Sequence, residues 1–546
     1  MKRKVVIPSA KIVSVELQTI GKLPAVIYPV NQDTMFKILK DTYKDTVDEY
    51  EIVVYEAAEK VQKRLSKYKD KVNIHKLDVL KDLGYSVYCG IREAKCSDDD
   101  EIIINLGDTI LYDEIESGKD ICFYQEEAMS DRWTYFEESD GVITRLWDKN
   151  AIIEDKRIVK NFFVGVFVIR HPNEFMKCIE NAWEKECTED SFYSALCEYS
   201  KKWPMDMRQV KEWFDIGHLD KYYDAQLEVK SRAFNHIEID KNRGILKKTS
   251  DDKSKFIGEI LWYLKLPSDI EYVRPRIFGY STDYNKPYVK MEYYSYHTLH
   301  ELFLNGDLSK KQWQEIFSRI KFIVNDFKRY EVCDSGIKEA VIDMYLNKTM
   351  ERLAELRNDS RFLQYFEKPI TVNGVEYKNL DEICQLLPQV IEQQLCDVER
   401  FNIIHGDLCF ANILVDSNRS FIKVIDPRGK FGKYDIYGDR RYEYAKLIHS
   451  IDGKYDYIIK DLFQLEIDGN KIDFTIDDRQ REFDLFECFM QSFSDEISND
   501  EIIKIELIEA LLFLSMVPLH TESFRHQIVM LATGLKILDR VIDIKM

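Results

Sequence analysis

Residues 405–416, HGDLCFANILVD, place the carboxylate of Asp407 five positions before the amide of Asn412, and residues 424–429, VIDPRG, add a second carboxylate, Asp426. Phosphoryl transfer asks for little covalent chemistry from a protein. It needs a carboxylate near the acceptor hydroxyl, oxygen ligands for Mg²⁺ and cations for the nucleotide phosphates. Mg²⁺ is a hard ion that takes oxygen donors, so Asn412 and Asp426 are suitable types. Asp407 lies on a Gly-containing turn, Asn412 closes the loop, and Asp426 ends the β-type run FIKVID. The competing reading is an ordinary acidic turn between two strands. A lone HGD would fit that reading; the spaced amide and the strand-end carboxylate weigh against it. His405 reads as a hydrogen-bonding scaffold and Cys409 as incidental.

These residues need elements that hold them. The β-type runs FNII and NILVD flank the loop. Upstream, RAFNHIEIDKNRGILKKTS predicts a hairpin around the polar turn 240–244, followed by a helix, KSKFIGEILWYLK, that ends before Pro267. The second hairpin strand carries Lys247 and Lys248, and the helix carries Glu259. Alternate side chains of a strand face opposite ways, so only one of these lysines can enter a cleft. Further β-type runs, RPRIFGYST and KPYVKMEYY, precede helical stretches from about 299 to 367, and the chain reads as mostly helical after 430. The first ~225 residues alternate β-type and helical runs. KVVIPSA, EIIINLGDTIL and NFFVGVFVIR read as strands, and TVDEYEIVVYEAAEKVQKRLSKY and NEFMKCIENAWEK as helices. That alternation predicts an α/β unit with a mainly parallel sheet. The expected boundary lies near residue 230, giving domains 1–230 and 231–546, the latter with a small lobe to about 297 and a helical large lobe from about 298.

A chain of 546 residues exceeds one hydrophobic core, which agrees with two domains. Its net charge of −19 without a Lys/Arg block opposes nucleic acid as a partner, because phosphate neutralisation dominates such binding. Eleven cysteines without a CxxC pair read as reduced thiols. The apolar runs are too short to span a bilayer, and LIEALLFLSMVPLH reads as a buried core helix. The opening MKRKVVIPSA lacks the long apolar stretch of a signal peptide, so a cytoplasmic location is expected. The run at 97–101, SDDDE, reads as a solvated turn, and His297 and His300 as surface residues.

Asp-x-x-x-x-Asn followed by a strand-end Asp is similar to the catalytic centre of the protein-kinase-like fold. The HGD form resembles the aminoglycoside phosphotransferase and choline kinase branch, which phosphorylates small molecules. The resemblance implies an α+β bilobal domain in which Asp407 orients or deprotonates the acceptor hydroxyl and Asn412 and Asp426 bind Mg²⁺. It implies that Lys248, paired with Glu259, meets the phosphates of ATP, since K-x-S followed by E-x-x-W-Y looks familiar from bacterial members. Ser231 and Asn235 are candidates for the phosphate loop, and 291–293, with Glu292, for the hinge that contacts adenine. GDRRYEYAKL departs from the family pattern by placing Glu443 where Asp is usual.

The first ~225 residues resemble the sugar-phosphate nucleotidyltransferases, which implies an α/β Rossmann-like domain. INLGDTIL would then nominate Asp108 and WFDIGHLDKYYDA Asp215 as metal ligands, with CTP or UTP as nucleotide. The usual Gly-x-Gly-x-Arg loop is replaced by SAKIVSVEL, and Ala25 stands where a Lys is usual. Without glycine, that backbone cannot approach phosphates as closely. Lys11 and Lys22 lie nearby but not at the matching position. Three functions are consistent with these features. The first is a small-molecule kinase acting on a sugar, polyol or amino alcohol for surface polysaccharide, with an impaired or altered N-terminal domain. The second is a bifunctional kinase/nucleotidyltransferase that makes an NDP-activated product. The third is a non-catalytic nucleotide-binding or regulatory protein.

Overall fold

Two runs of β-branched residues, RKVVIP and EIIIN, are buried along their whole length, as strands covered on both faces must be. They form the centre of a nine-stranded sheet in the first of two compact units, Met1–Ala233 and Phe234–Met546. The computed structural model describes residues 2–30, 33–97, 99–149, 158–184, 190–219, 221–225, 237–476, 478, 481 and 483–545.

In the first unit Arg3–Pro8 pairs in parallel with both Glu49–Val54 and Glu101–Asn105, and Val72–Lys76 adds a further parallel strand. The helix Leu83–Ala94 packs on this sheet, so closely that a Cβ on Gly90 would lie 2.5 Å from Val6. Two expectations are corrected here. The sheet is mixed rather than mainly parallel: Val159–Ile169 runs antiparallel to Glu101–Asn105, Ile121–Ala128 and Tyr135–Ser139. Among the described residues, no helix lies between consecutive strands from 121 to 169 to act as a crossover, which agrees with their reversal of direction. The run 46–68, read as one helix, splits into the strand Glu49–Val54 and the helix Ala58–Leu65. Its first half, EYEIVV, is buried between two parallel neighbours, where β-branched residues pack best.

The second unit opens with a four-stranded antiparallel sheet in the order Ile237–Asp240, Ile245–Lys248, Tyr288–Glu292, Ile277–Ser281. The helix Lys253–Lys265 follows the hairpin, its first turn capped by the Asp252 side chain accepting from Lys255 N–H. Beyond residue 298 helices dominate, among them Lys310–Lys328, Lys348–Arg357, Leu380–Leu395, Arg441–Ile451, Asn499–Met516 and Phe524–Val541. An aromatic cluster of Phe303, Trp313, Phe317, Phe410 and Phe489 forms part of their core, with Trp313 stacked on Phe410 at 5.9 Å. A hairpin, Phe463–Asp468 and Lys471–Ile476, interrupts the stretch that the sequence reads as mostly helical. His297 and His300, expected at the surface, are buried: His297 meets Glu301 at 3.2 Å and His300 meets Asp456 at 2.5 Å. Burial leaves each imidazole dependent on a carboxylate partner, Glu301 on the helix Leu299–Leu304 and Asp456 on the distant helix Tyr455–Ile459.

Candidate functional site

The loop 405–412 is held by backbone-directed bonds from several elements. His405 gives its Nε2–H to Ile425 O (2.9 Å), while its Nδ1 accepts from Asp407 N–H (3.3 Å). Both ring nitrogens are thus occupied, and burial pushes the imidazole down to about 4, so it stays neutral. Glu443, on the helix Arg441–Ile451, accepts from the backbone N–H groups of His405 (2.9 Å) and Gly406 (2.8 Å). Burial pushes Glu443 up to about 7 against the pull of those two bonds. Gly406 has φ +77, and a Cβ there would meet the Arg428 side chain at 2.9 Å, so glycine is required twice over.

Asp407 and Asn412 come together as the spacing predicts. Asn412 Nδ2 donates to Asp407 O (2.9 Å) and Oδ2 (3.2 Å), which leaves Asn412 Oδ1 without a hydrogen bond among the described residues. Asp407 Oδ1 meets Lys446 Nζ at 2.9 Å, with 39% of its side chain exposed. The burial that opposes ionisation is therefore partial, and the Lys446 ammonium prevails, holding the carboxyl down at about 2. Sequence reasoning missed Lys446. It lies 39 residues downstream of Asp407, three beyond Glu443, with no spacing signal that ties it to the loop.

Asp426 is joined to this loop through its neighbours. Ile425 N–H donates to Asn412 O (3.0 Å) and Arg428 N–H to His405 O (3.0 Å). Asp426 itself adopts φ +57, a left-handed conformation uncommon outside glycine, and its N–H donates to the buried Tyr263 hydroxyl (3.0 Å). Lys248 Nζ bridges Asp426 Oδ1 (2.7 Å) and both oxygens of Glu259 (2.9 and 3.0 Å). Lys247 points the other way, to Glu238 at 3.0 Å. Burial, then the Asp426 charge, push Glu259 up to about 7 despite Lys248. Two carboxylates thus share one ammonium, an arrangement with negative charge to spare. Trp262, one helical turn beyond Glu259, donates its Nε1–H to Ile404 O (2.7 Å) and locks this helix to the start of the loop.

Glu292 lies apart from that cluster. It ends the strand Tyr288–Glu292 opposite Ile245, its N–H donates to Arg276 O (2.8 Å), and its carboxylate accepts from Tyr294 OH (2.8 Å). Ser231 and Asn235 lie outside the described residues.

In the first unit Asp108 and Asp215 converge. Asn105 builds the turn: its Oδ1 accepts from Gly107 N–H (2.9 Å) and its Nδ2 donates to Thr109 O (3.0 Å). Thr109–Leu111 then pairs with Trp213–Asp215, setting Asp215 opposite Thr109. A Cβ on Gly217 would lie 3.1 Å from Asp108 Oδ2 and 3.1 Å from Asp215 Oδ1, so both carboxylates border one small space. Burial and then the Asp215 charge push Asp108 up to about 6. His218 also enters this site, with Nδ1 2.7 Å from Asp215 Oδ2, and that bond raises its pKa. Its position three residues after Asp215 in DIGH was a signal the sequence reading did not use. The loop 9–14 approaches the same place, Ser14 Oγ donating to Gly217 O at 3.4 Å, whereas Lys11 and Lys22 are exposed.

No protein-family model matches the chain, and no curated protein matches it. Solved structures with partial likeness include HddC from Yersinia pseudotuberculosis complexed with GMP-PN (12% identity, 42% of this chain and 100% of that one, TM-score 0.31). The inositol-1-phosphate CTP transferase from T. maritima is 16% identical over 42% of this chain and 96% of that one, with TM-score 0.31. A CMP:2-keto-3-deoxy-manno-octonic acid synthetase complexed with CTP is 9% identical over 42% of this chain and 100% of its own, with TM-score 0.31. Likeness at this level carries no argument about activity. Among the described residues no helix is long and apolar enough to cross a membrane.

Proposed function

We propose that residues 234–546 transfer a phosphoryl group from ATP to the hydroxyl of a small molecule. The observation that carries this reading is the Lys248 ammonium bridging Glu259 and Asp426 beside a loop that presents Asp407 and Asn412. The donor set fits Mg²⁺: Asn412 Oδ1 accepts no hydrogen bond among the described residues, and Asp426 has one oxygen on Lys248 and 48% of its side chain exposed. Mg²⁺ bound by Asn412 and Asp426 would neutralise charge on the nucleotide phosphates. Lys248 would hold those phosphates, with Glu259 fixing its position. Asp407 accepts the hydrogen bond of the acceptor hydroxyl and aims its oxygen at the γ-phosphorus. The new O–P bond forms as the bond to ADP breaks, and the hydroxyl proton passes to Asp407. A carboxyl held near 2 is a weak base, so orientation is its larger contribution and proton transfer comes late. Incubation with ATP, Mg²⁺ and a panel of alcohols should give ADP and a phosphomonoester, lost in Asp407→Ala. The reading fails if no alcohol is phosphorylated, or if that variant turns over normally.

A second reading applies to residues 1–233: nucleotidyl transfer from CTP or UTP to a phosphomonoester, supported by the shared space between Asp108 and Asp215. Pyrophosphate release that disappears in Asp108→Ala would establish it; no release with either nucleotide would leave a binding or regulatory role. With both activities the protein would make an NDP-activated product in the cytoplasm, and we place that product in surface polysaccharide assembly.

A further inference from the structure

Three elements bring cations to the neighbourhood of Asp407. The helix Arg441–Ile451 carries Tyr442 and Lys446 four residues apart on one face, and Lys446 meets Asp407 at 2.9 Å. Arg428 lies against Gly406, one residue before Asp407, and its Nη1 donates to Tyr442 OH (2.7 Å) with its guanidinium 5.6 Å from that ring. Tyr345 stacks on Tyr442 at 6.3 Å, and Lys348 follows one turn later at the start of the helix Lys348–Arg357. Among the described residues Lys348 has no hydrogen-bond or carboxylate partner, and Arg428 has only the Tyr442 hydroxyl as a side-chain partner. Burial, then repulsion from Arg428, Lys446, Arg352 and Lys255, hold the Lys348 amine down at about 7. Partly buried cations without counterions are costly. In a chain of net charge −19 there are carboxylates enough to pair them, yet among the described residues Asp407 alone forms an ion pair with this group.

We propose that Lys348, Arg428 and Lys446 form an anion-binding subsite beside Asp407, and that the acceptor is an alcohol bearing a carboxylate or phosphate group. This rests on the phosphotransferase reading above and narrows it, because such a subsite repels amino alcohols. Guanidinium and ammonium groups are the usual ligands of both anions. The anion would anchor the acceptor while its hydroxyl lies at Asp407.

The test uses the full-length protein in two arms. In the first, Lys348 is acylated at pH 7.5 with and without inorganic phosphate, a hydroxycarboxylate, a sugar phosphate, a neutral polyol, an amino alcohol or ATP, and modification is read by mass spectrometry. Protection by the anionic compounds but not the neutral or cationic ones is expected. The hydroxycarboxylate and sugar phosphate lanes distinguish the two anions. Protection by ATP alone would assign these cations to the donor and overturn the proposal, as would protection by none. In the second arm the same alcohols are tested as acceptors. Lys348→Met and Arg428→Gln should each raise KM for the anionic acceptor about tenfold or more, with a smaller change for ATP. Turnover of only neutral or cationic alcohols overturns the anionic acceptor and leaves the kinase reading standing. Protection by anions without any phosphorylation overturns the acceptor assignment and the kinase reading together, while the anion site itself stands.

Discussion

Lys348 shows how one residue can report on a whole site. Its amine has an ordinary pKa near 10.5 and is held at about 7 in the fold, burial contributing most and the Arg428, Lys446, Arg352 and Lys255 charges the rest. Below pH 7 both folded and unfolded chains carry the proton, and the folded state bears the full penalty. Between pH 7 and 10.5 the unfolded chain binds more protons, so stability rises with pH through that window. Lys348→Met should therefore stabilise the protein at pH 6, by about 1–3 kcal/mol after allowance for solvent screening. The gain should shrink by pH 9.5. Urea-unfolding midpoints at the two pH values measure it; an equal gain at both would show that charge is not the cause. Asp407 shows the opposite balance, since a single ammonium at 2.9 Å outweighs its partial burial.

At the scale of elements, the loop 405–412 is hung from a helix as well as tied by its own turns. Glu443 projects from Arg441–Ile451 and takes the N–H groups of His405 and Gly406. Glu443→Ala would leave two buried donors without partners, at a cost of about 2–4 kcal/mol. It should also lower kcat by loosening Asp407, since Glu443 touches no reacting atom and acts through the loop. Calorimetric unfolding gives the first quantity and steady-state kinetics the second. Unchanged stability would mean that the loop finds other acceptors. The hairpin and helix of the small lobe make a comparable unit, in which strand alternation sends Lys247 to Glu238 and Lys248 to Glu259.

At the scale of the molecule, each unit has its own buried core. In the first, Val6, Ile102, Ile104, Phe167, Phe175 and Phe192 belong to one cluster of buried side chains. In the second, the aromatic cluster around Trp313 includes Phe410 of the loop 405–412. Units with separate cores fold separately when cut at a linker. Residues 234–546 expressed alone should unfold cooperatively and keep the proposed ATP-dependent activity at about the full-length rate. Residues 1–233 alone should keep any pyrophosphate release. Loss of phosphoryl transfer in a folded 234–546 fragment would show that the first unit takes part in that reaction.

Local spacing was enough to bring Asp407, Asn412 and Asp426 to notice, and strand alternation to say that only one of Lys247 and Lys248 enters the site; the choice of Lys248 and the nomination of Asp108 and Asp215 came from family resemblance. The first two depend on short-range rules: a loop of set length, a carboxylate at a strand end, and the alternation of a strand. What lay beyond them depends on packing between distant elements. Lys446 reaches Asp407 because a helix 39 residues on docks against the loop, and Lys348 joins it through stacked tyrosines. The buried histidines His297 and His300, the strand Glu49–Val54 and the mixed sheet were misread for the same reason. Burial and strand direction are set by neighbours far away in the chain, and periodicity does not carry that information. The amino-acid sequence alone determined which chemistry-bearing residues, Asp407, Asn412 and Asp426, fall within one short stretch of the C-terminal half. Only the tertiary structure decided which charges surround those residues, because those charges arrive on elements distant in the chain.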